Sequence, residues 1–170
     1  MIIIFVGYTG SNKKKIAKII SDKLGLNYIH LNDLIEEKEK LSISKILLTR
    51  GDVIYRNIEN KYLKNVLKNN TKLVLCLDEG TPCYSSNIKL LTAKNIVCIY
   101  LKYSINSLVD ILFTNPPVIL RNFSKNNLKE YIAKHLFERN VYYNKSNIII
   151  DCDQKSETKI IKEILTKLNN

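Results

Sequence analysis

Apolar and polar positions along the chain switch repeatedly between a strand-like and a helix-like period, as an α/β fold requires. The run "IIIFV" near the start is continuously apolar and predicts a strand buried on both faces. Ile16, Ile19, Ile20 and Leu24 then recur at helical spacing, and Gly25 ends that helix. "NYIHL" predicts a second short strand. A helical region begins at "NDLIEEKEK" and continues from Ser42 to about Leu67, interrupted at Gly51. "KLVLCL", "NIVCIYL" and "NIIID" predict three further strands. A helix around Leu108, the proline-bearing "TNPPVILRN", a longer helix through Glu138 and the terminal "SETKIIKEILTKL" fill the intervals. No internal repeat or linker interrupts the pattern. The expectation is one α/β domain over residues 1–170, three-layer α/β/α around a mostly parallel five-stranded sheet.

Composition narrows the partners. A chain of 170 residues suits one domain with a sizeable core. Its 45% hydrophobic and 25% charged content is that of an ordinary soluble protein. No apolar run approaches the roughly 18 residues that span a bilayer, and the short apolar start lacks a basic leader, so it reads as a strand rather than a signal. A cytoplasmic monomer without a membrane partner is expected. Cys76, Cys83, Cys98 and Cys152 are scattered, which predicts reduced thiols packed as small apolar residues. The net charge of +11 is almost all lysine, spread along the chain among abundant asparagine and isoleucine. "NKKK" and "KNNTK" are short, and no basic run alternates with stacking aromatics. A solvated lysine surface is the expectation, not a nucleic-acid partner.

Ligands of parallel α/β sheets bind beyond the carboxyl ends of the strands. The chemically informative segments fall there: "GYTGSNKKK" after strand one, "HLND" after strand two and "DEGTP" after strand three. The first approaches the phosphate-binding pattern G-x-x-x-x-G-K-[ST]. Gly7 and Lys13 match it, while Asn12 and Lys14 stand where it has a glycine and a hydroxyl.

The segment "LSISKILLTRGDVIYRNIENKYL" resembles the shikimate kinases. Those chains carry a serine–isoleucine pair followed by G-[ED]-x-x-[FY]-R-x-x-E and a leucine. Here the positions are Ser42, Ile43, Gly51, Asp52, Tyr55, Arg56, Glu59 and Leu63. Other landmarks follow in the family's order over nearly the whole chain. "GYTGSNKKK" stands for G-x-M-G-[ST]-G-K-[ST], "YIHLNDLIE" for F-x-D-x-D-x-x-I-E, and "LDEGTP" for a triple-glycine turn. "NPPVIL" stands for the R-P-L-L of a lid, placed at about 114–124, and "ERNVYYNKSN" for R-x-P-L-Y-x-x-x-A-[DN]. The resemblance implies a nucleoside monophosphate kinase-like fold. It also implies transfer of phosphate from magnesium-ATP to the 3-hydroxyl of shikimate, a step of aromatic amino-acid synthesis.

By the same resemblance, Gly7, Gly10, Ser11, Asn12, Lys13 and Lys14 form the nucleotide loop, with Lys13 bridging the phosphates. Loop N–H groups and the following helix start favour an anion, and asparagine is the best non-glycine residue at positive φ. Lys14 brings a cation to the place of the metal-ligating hydroxyl. His30 and Asn32 replace the two aspartates of the D-x-D motif, Asn32 falling at the acceptor hydroxyl; Asp33 follows one position on. Asp78 and Glu79 take two of three glycine positions and leave Gly80. They are expected to repel acids and phosphates or to form a metal or amine site. Pro116 replaces the lid arginine, whose role Arg121 could take over. Arg56 and Arg139 match the two carboxylate-gripping arginines, notable where lysine outnumbers arginine several-fold. The alternative pairs Arg56 with Asp52 or Glu59 on its own helix. His30 and the cysteines show no metal-ligand spacing, His135 reads as structural, and Tyr8, Tyr55, Tyr142 and Tyr143 as packing. The predicted activity is therefore a phosphotransferase acting on a small carboxylic acid such as shikimate, with weak or absent magnesium-dependent ATP binding. The alternative is a non-catalytic fold that binds a small anion or a partner.

Overall fold

The first strand, β1 (Ile2–Val6), is buried along its whole length and lies at the centre of the sheet. The structure, a computed structural model, describes residues 1–84 and 86–169, Val118 by its backbone alone. In chain order α1 (Lys13–Leu24), β2 (Asn27–His30), α2 (Leu31–Glu39), α3 (Ile43–Arg50) and α4 (Asp52–Asn69) lead to β3 (Leu73–Cys76). After a 3-10 turn at Thr81–Cys83 come α5 (Asn87–Leu91), β4 (Ile96–Lys102) and α6 (Ile105–Thr114). A second 3-10 turn, Val118–Leu120, precedes α7 (Lys125–Tyr143), β5 (Ile148–Asp151) and α8 (Glu157–Leu168). The order across the sheet is β2-β3-β1-β4-β5 and every pairing is parallel. The predicted five-stranded parallel α/β/α architecture is the one found.

Alternation along β1 builds the two sides of the core. Ile2, Ile4 and Val6 face a cluster drawn from α2 through α7, including Ile35, Leu63, Leu108 and Ile132. Ile3 and Phe5 face the opposite cluster, which α1 and α8 supply through Ile16, Ile20, Ile160 and Ile164. Each such side chain taken fully out of water contributes roughly 1.5–3 kcal/mol.

Local chemistry sets the ends of the helices. Ser42, Ser104, Ser124 and Ser156 each stand before a helix and accept a backbone N–H three residues on. Gly51 breaks the long helical region as expected, with φ +83° between α3 and α4. The pattern did not predict α5, whose five residues span little more than one turn. The cysteines are free, three of them buried, and burial pushes the Cys76 thiol up to about 12. Among the described residues no helix is long and apolar enough to cross a membrane.

Gly25 closes α1 at φ +62°, with Leu26 N–H donating to Ser21 O at 2.9 Å. No atom lies within 4 Å of where a Cβ would sit. Gly25→Ala should therefore cost only the left-handed backbone penalty, about 1 kcal/mol in urea unfolding. A loss of about 3 kcal/mol or more would show that the turn carries more than a backbone preference.

Candidate active site

The carboxyl ends of β1, β2 and β3 lie side by side, so the loops leaving them share one edge of the sheet. From β1 the chain turns through Gly7 (φ +152°) and Gly10 (φ +88°) into α1. A Cβ on Gly7 would meet Leu101 O at 3.0 Å, and one on Gly10 would meet the Leu112 side chain at 3.2 Å. Asn12 supplies the left-handed residue before α1 (φ 55°, ψ 21°), the conformation expected for the residue in the glycine's place. Its Nδ2 donates to Glu157 Oε2 at 3.0 Å, so the side chain turns towards α8. Among the described residues no backbone carbonyl takes the N–H groups of Lys13, Lys14 or Lys15. Beside them lies a cavity of about 570 Å³ lined by Thr9, Gly10, Asn12, Lys13, Lys14, Tyr103 and Ile111. Among the described residues Lys13 Nζ has only a long contact, 3.5 Å to Tyr8 O, and the buried Ser11 Oγ has no partner. Free N–H groups at a helix start, an uncommitted ammonium and an orphaned hydroxyl suit a phosphate chain.

The next position, 14, carries an ammonium in place of a hydroxyl. Lys14 Nζ reaches Asp33 at 2.7 Å and is 57% exposed, so it leans outward onto the start of α2. His30 Nδ1 contacts the same carboxylate at 2.8 Å. Burial pushes the Asp33 carboxyl up, but the hydrogen bonds and charges of Lys14 and His30 together outweigh it and hold the group below its ordinary value. Asp33 is thus paired with Lys14 and bonded to His30, and no hydroxyl stands at position 14. Among the described residues no three His, Cys, Asp or Glu side chains gather to hold a metal.

The second cluster is built around α4. Glu59 is 0% exposed. It accepts from Arg56 Nη1 at 2.9 Å, from Thr81 Oγ1 at 2.7 Å and from the Tyr55 hydroxyl at 3.2 Å. Burial raises its pKa and prevails over the lowering by Arg56 and Thr81. The Tyr55 hydroxyl shares its one proton between Glu59 and Asn32 Oδ1, the latter at 3.1 Å, which ties the start of α2 to this group. The Arg56 guanidinium covers the turn after β3 so closely that a Cβ on Gly80 would lie 2.5 Å from its Nη2. That approach requires glycine at position 80, where φ is an ordinary −87°.

Glu79 joins the remaining parts. Its Oε1 accepts from Arg139 Nη1 at 2.9 Å, and its Oε2 accepts from the Thr9 backbone N–H at 2.8 Å and from the Thr9 hydroxyl. Burial would raise its pKa, yet the Thr9 hydrogen bonds and Arg139 together lower it. Arg139 lies over the Tyr8 ring, 5.5 Å from its centroid, and Tyr8 bonds His135 Nδ1 at 2.9 Å. Burial and the nearby Arg139 lower the pKa of His135.

The predicted residues therefore fall into two groups that meet at Glu79. Gly7, Gly10, Ser11, Asn12, Lys13 and Lys14 form the loop, and Asn32, Arg56, Gly80 and Arg139 surround the turn after β3. Arg121 is exposed and makes no side-chain bond among the described residues. The ion pairs foreseen for Arg56 as an alternative exist, to Glu59 at 2.9 Å and to Asp52 at 3.6 Å. Thr9 was missed, because its partner is 70 positions away. Tyr55 was read as packing although it orients Asn32. Position four before Glu59 on one helix was the available signal.

Comparison with known proteins gives matches over nearly the whole chain. Residues 9–169 match the sequence model of the family described as shikimate kinase. The chain is 37% identical over 164 residues to a shikimate kinase of Flavobacterium psychrophilum, covering 95% of each chain. It is 33% identical over 165 residues to that of Flavobacterium johnsoniae, covering 96% of each. The crystal structure of shikimate kinase from Bacteroides thetaiotaomicron superposes with a TM-score of 0.90 at 21% identity, over 100% of this chain and 99% of that one. Shikimate kinase from Acinetobacter baumannii in complex with shikimate gives 0.85 at 20% identity, over 99% and 92%.

The lowered pKa of Glu79 fixes the sign of a pH effect. Its pairing stabilises the fold fully above the unfolded value, near 4.5, and that contribution is lost as pH falls through the lower folded value. Glu79→Gln should lower stability by about 2 kcal/mol at pH 7, and the gap from wild type should close on acidification. Urea midpoints measured from pH 7 down to pH 3 test this. A gap that stays constant would show that Glu79 is protonated or unpaired at neutral pH.

Proposed function

The chain belongs to the shikimate kinase family, and from that premise we propose that it transfers the γ-phosphoryl group of ATP to the 3-hydroxyl of shikimate. The observation that carries the reading is the convergence of Lys13 and the α1 start with Arg56 and Arg139 at one edge of the sheet. ATP, when bound, supplies the phosphoryl group. Phosphoryl transfer depends chiefly on positioning and charge neutralisation. Lys13 and the free N–H groups of α1 hold the phosphates and stabilise charge passing to the leaving oxygen. The segment 114–124 covers them, with Arg121 as the cation there.

On the acceptor side Arg56 and Arg139 grip the carboxylate, and Gly80 gives the acid access to the backbone. Asn32 cannot accept a proton. With Oδ1 taken by Tyr55, its amide N–H groups are left to orient the acceptor hydroxyl. A loose transition state asks little of a base, so this arrangement transfers slowly rather than not at all. A second reading, binding of a small acid without transfer, is favoured by the Lys14–Asp33 pair, which leaves the loop without a magnesium ligand.

A coupled assay with ATP and shikimate separates the two readings. Turnover is expected, with kcat/KM falling at least roughly 100-fold in Lys13→Met, the scale of removing a transition-state charge contact. Turnover undetectable in wild type while shikimate still binds would transfer the assignment to the second reading.

ATP affinity measured by calorimetry should change by less than about threefold on adding magnesium, since an ammonium paired with Asp33 stands where the loop would offer a metal-ligating hydroxyl. Lys14→Ser should increase that dependence. Tight, metal-dependent binding by the wild type would refute the account of Lys14.

A further inference from the structure

Glu79 has the chemistry of the ligand that Arg139 is proposed to bind: a planar anion with two oxygens. It holds Arg139 Nη1 at 2.9 Å and, through its other oxygen, the backbone N–H and hydroxyl of Thr9. Arg139 belongs to α7 and Thr9 to the phosphate loop, so a single carboxylate joins the acceptor and nucleotide sides. The other internal pair cannot open as readily. Glu59 is fully buried, and losing Arg56 would leave its charge desolvated. Glu79 keeps 20% of its side chain exposed. Its backbone is fixed separately, by the Tyr143 hydroxyl donating to Glu79 O at 2.6 Å. The side chain can therefore turn away while the turn after β3 stays in place.

We propose that Glu79 is an intramolecular competitor for the acid-binding pocket, holding Arg139 and Thr9 together until an acceptor carboxylate displaces it. The inference rests on the acceptor reading given above and deepens it. Displacement costs the incoming acid part of its affinity. It also releases Thr9, so that filling the acceptor pocket loosens the loop on the nucleotide side. Removing the Glu79 charge gives the acid an unoccupied Arg139.

Shikimate titrations followed by amide ¹H–¹⁵N NMR on wild type, Glu79→Gln and Glu79→Gly test the latch. Both variants should bind roughly tenfold more tightly, the equivalent of one charge-assisted contact no longer competed for. In wild type, saturation should move the Thr9 amide towards its position in ligand-free Glu79→Gln. Dispersed spectra establish that the variants are folded, and Glu79→Gln alone suffices if the glycine variant is not. Equal or weaker binding by the variants, with the Thr9 amide unmoved in wild type, would overturn the latch and leave the acceptor reading standing. No binding by any of the three proteins would overturn both.

Discussion

The cluster around α4 and the turn after β3 depends on one fully buried carboxylate. Taking Glu59 out of water is costly unless each lone pair finds a donor, and the three it finds come from different places. Arg56 and Tyr55 lie on its own helix, and Thr81 follows β3. Tyr55 then passes the constraint to Asn32 at the start of α2. Satisfying Glu59 therefore fixes the positions of α4, α2 and the turn relative to one another. It also presses Arg56 onto Gly80. The glycine that remains of the turn is the one whose replacement would collide with that guanidinium.

Electrostatic balance at the site is achieved locally. The chain carries a net charge of +11, yet three acids near the pocket are engaged by particular cations, while Asp78 forms no ion pair among the described residues. Asp33 takes Lys14, Glu59 takes Arg56, and Glu79 takes Arg139. Lys13 is left with its ammonium uncommitted beside the loop. The lysine-rich surface remains mostly a matter of exposed pairs such as Lys15 with Glu157 and Lys18 with Asp22. Pairs of that kind add little to stability.

The architecture was legible because it rests on local signals. "IIIFV" admits only a strand buried on both faces, Gly25 and Gly51 end helices through their own backbone geometry, and Asn12 adopts the left-handed turn its chemistry permits. The site was legible by position and only in part by contact. Sequence placed Lys14 beside the phosphate loop but not the direction of its side chain, which Asp33, 19 positions on, decides. It placed Glu79 near the arginines, yet not its bond to Thr9 across 70 positions. Short α5 escaped because one turn carries too few positions for a period to show.

The central position of β1 also orders events in time. Its partners on either side begin at Leu73 and Ile96, so the most apolar strand is synthesised first and its ladder is completed late. Until Ile96–Tyr100 has left the ribosome, "IIIFV" has an unpaired edge and at least one uncovered face. Non-local parallel pairing of this kind is slow and exposed to aggregation. The demand that gives the phosphate loop its rigid base thus leaves β1 without its full ladder until β4 is made.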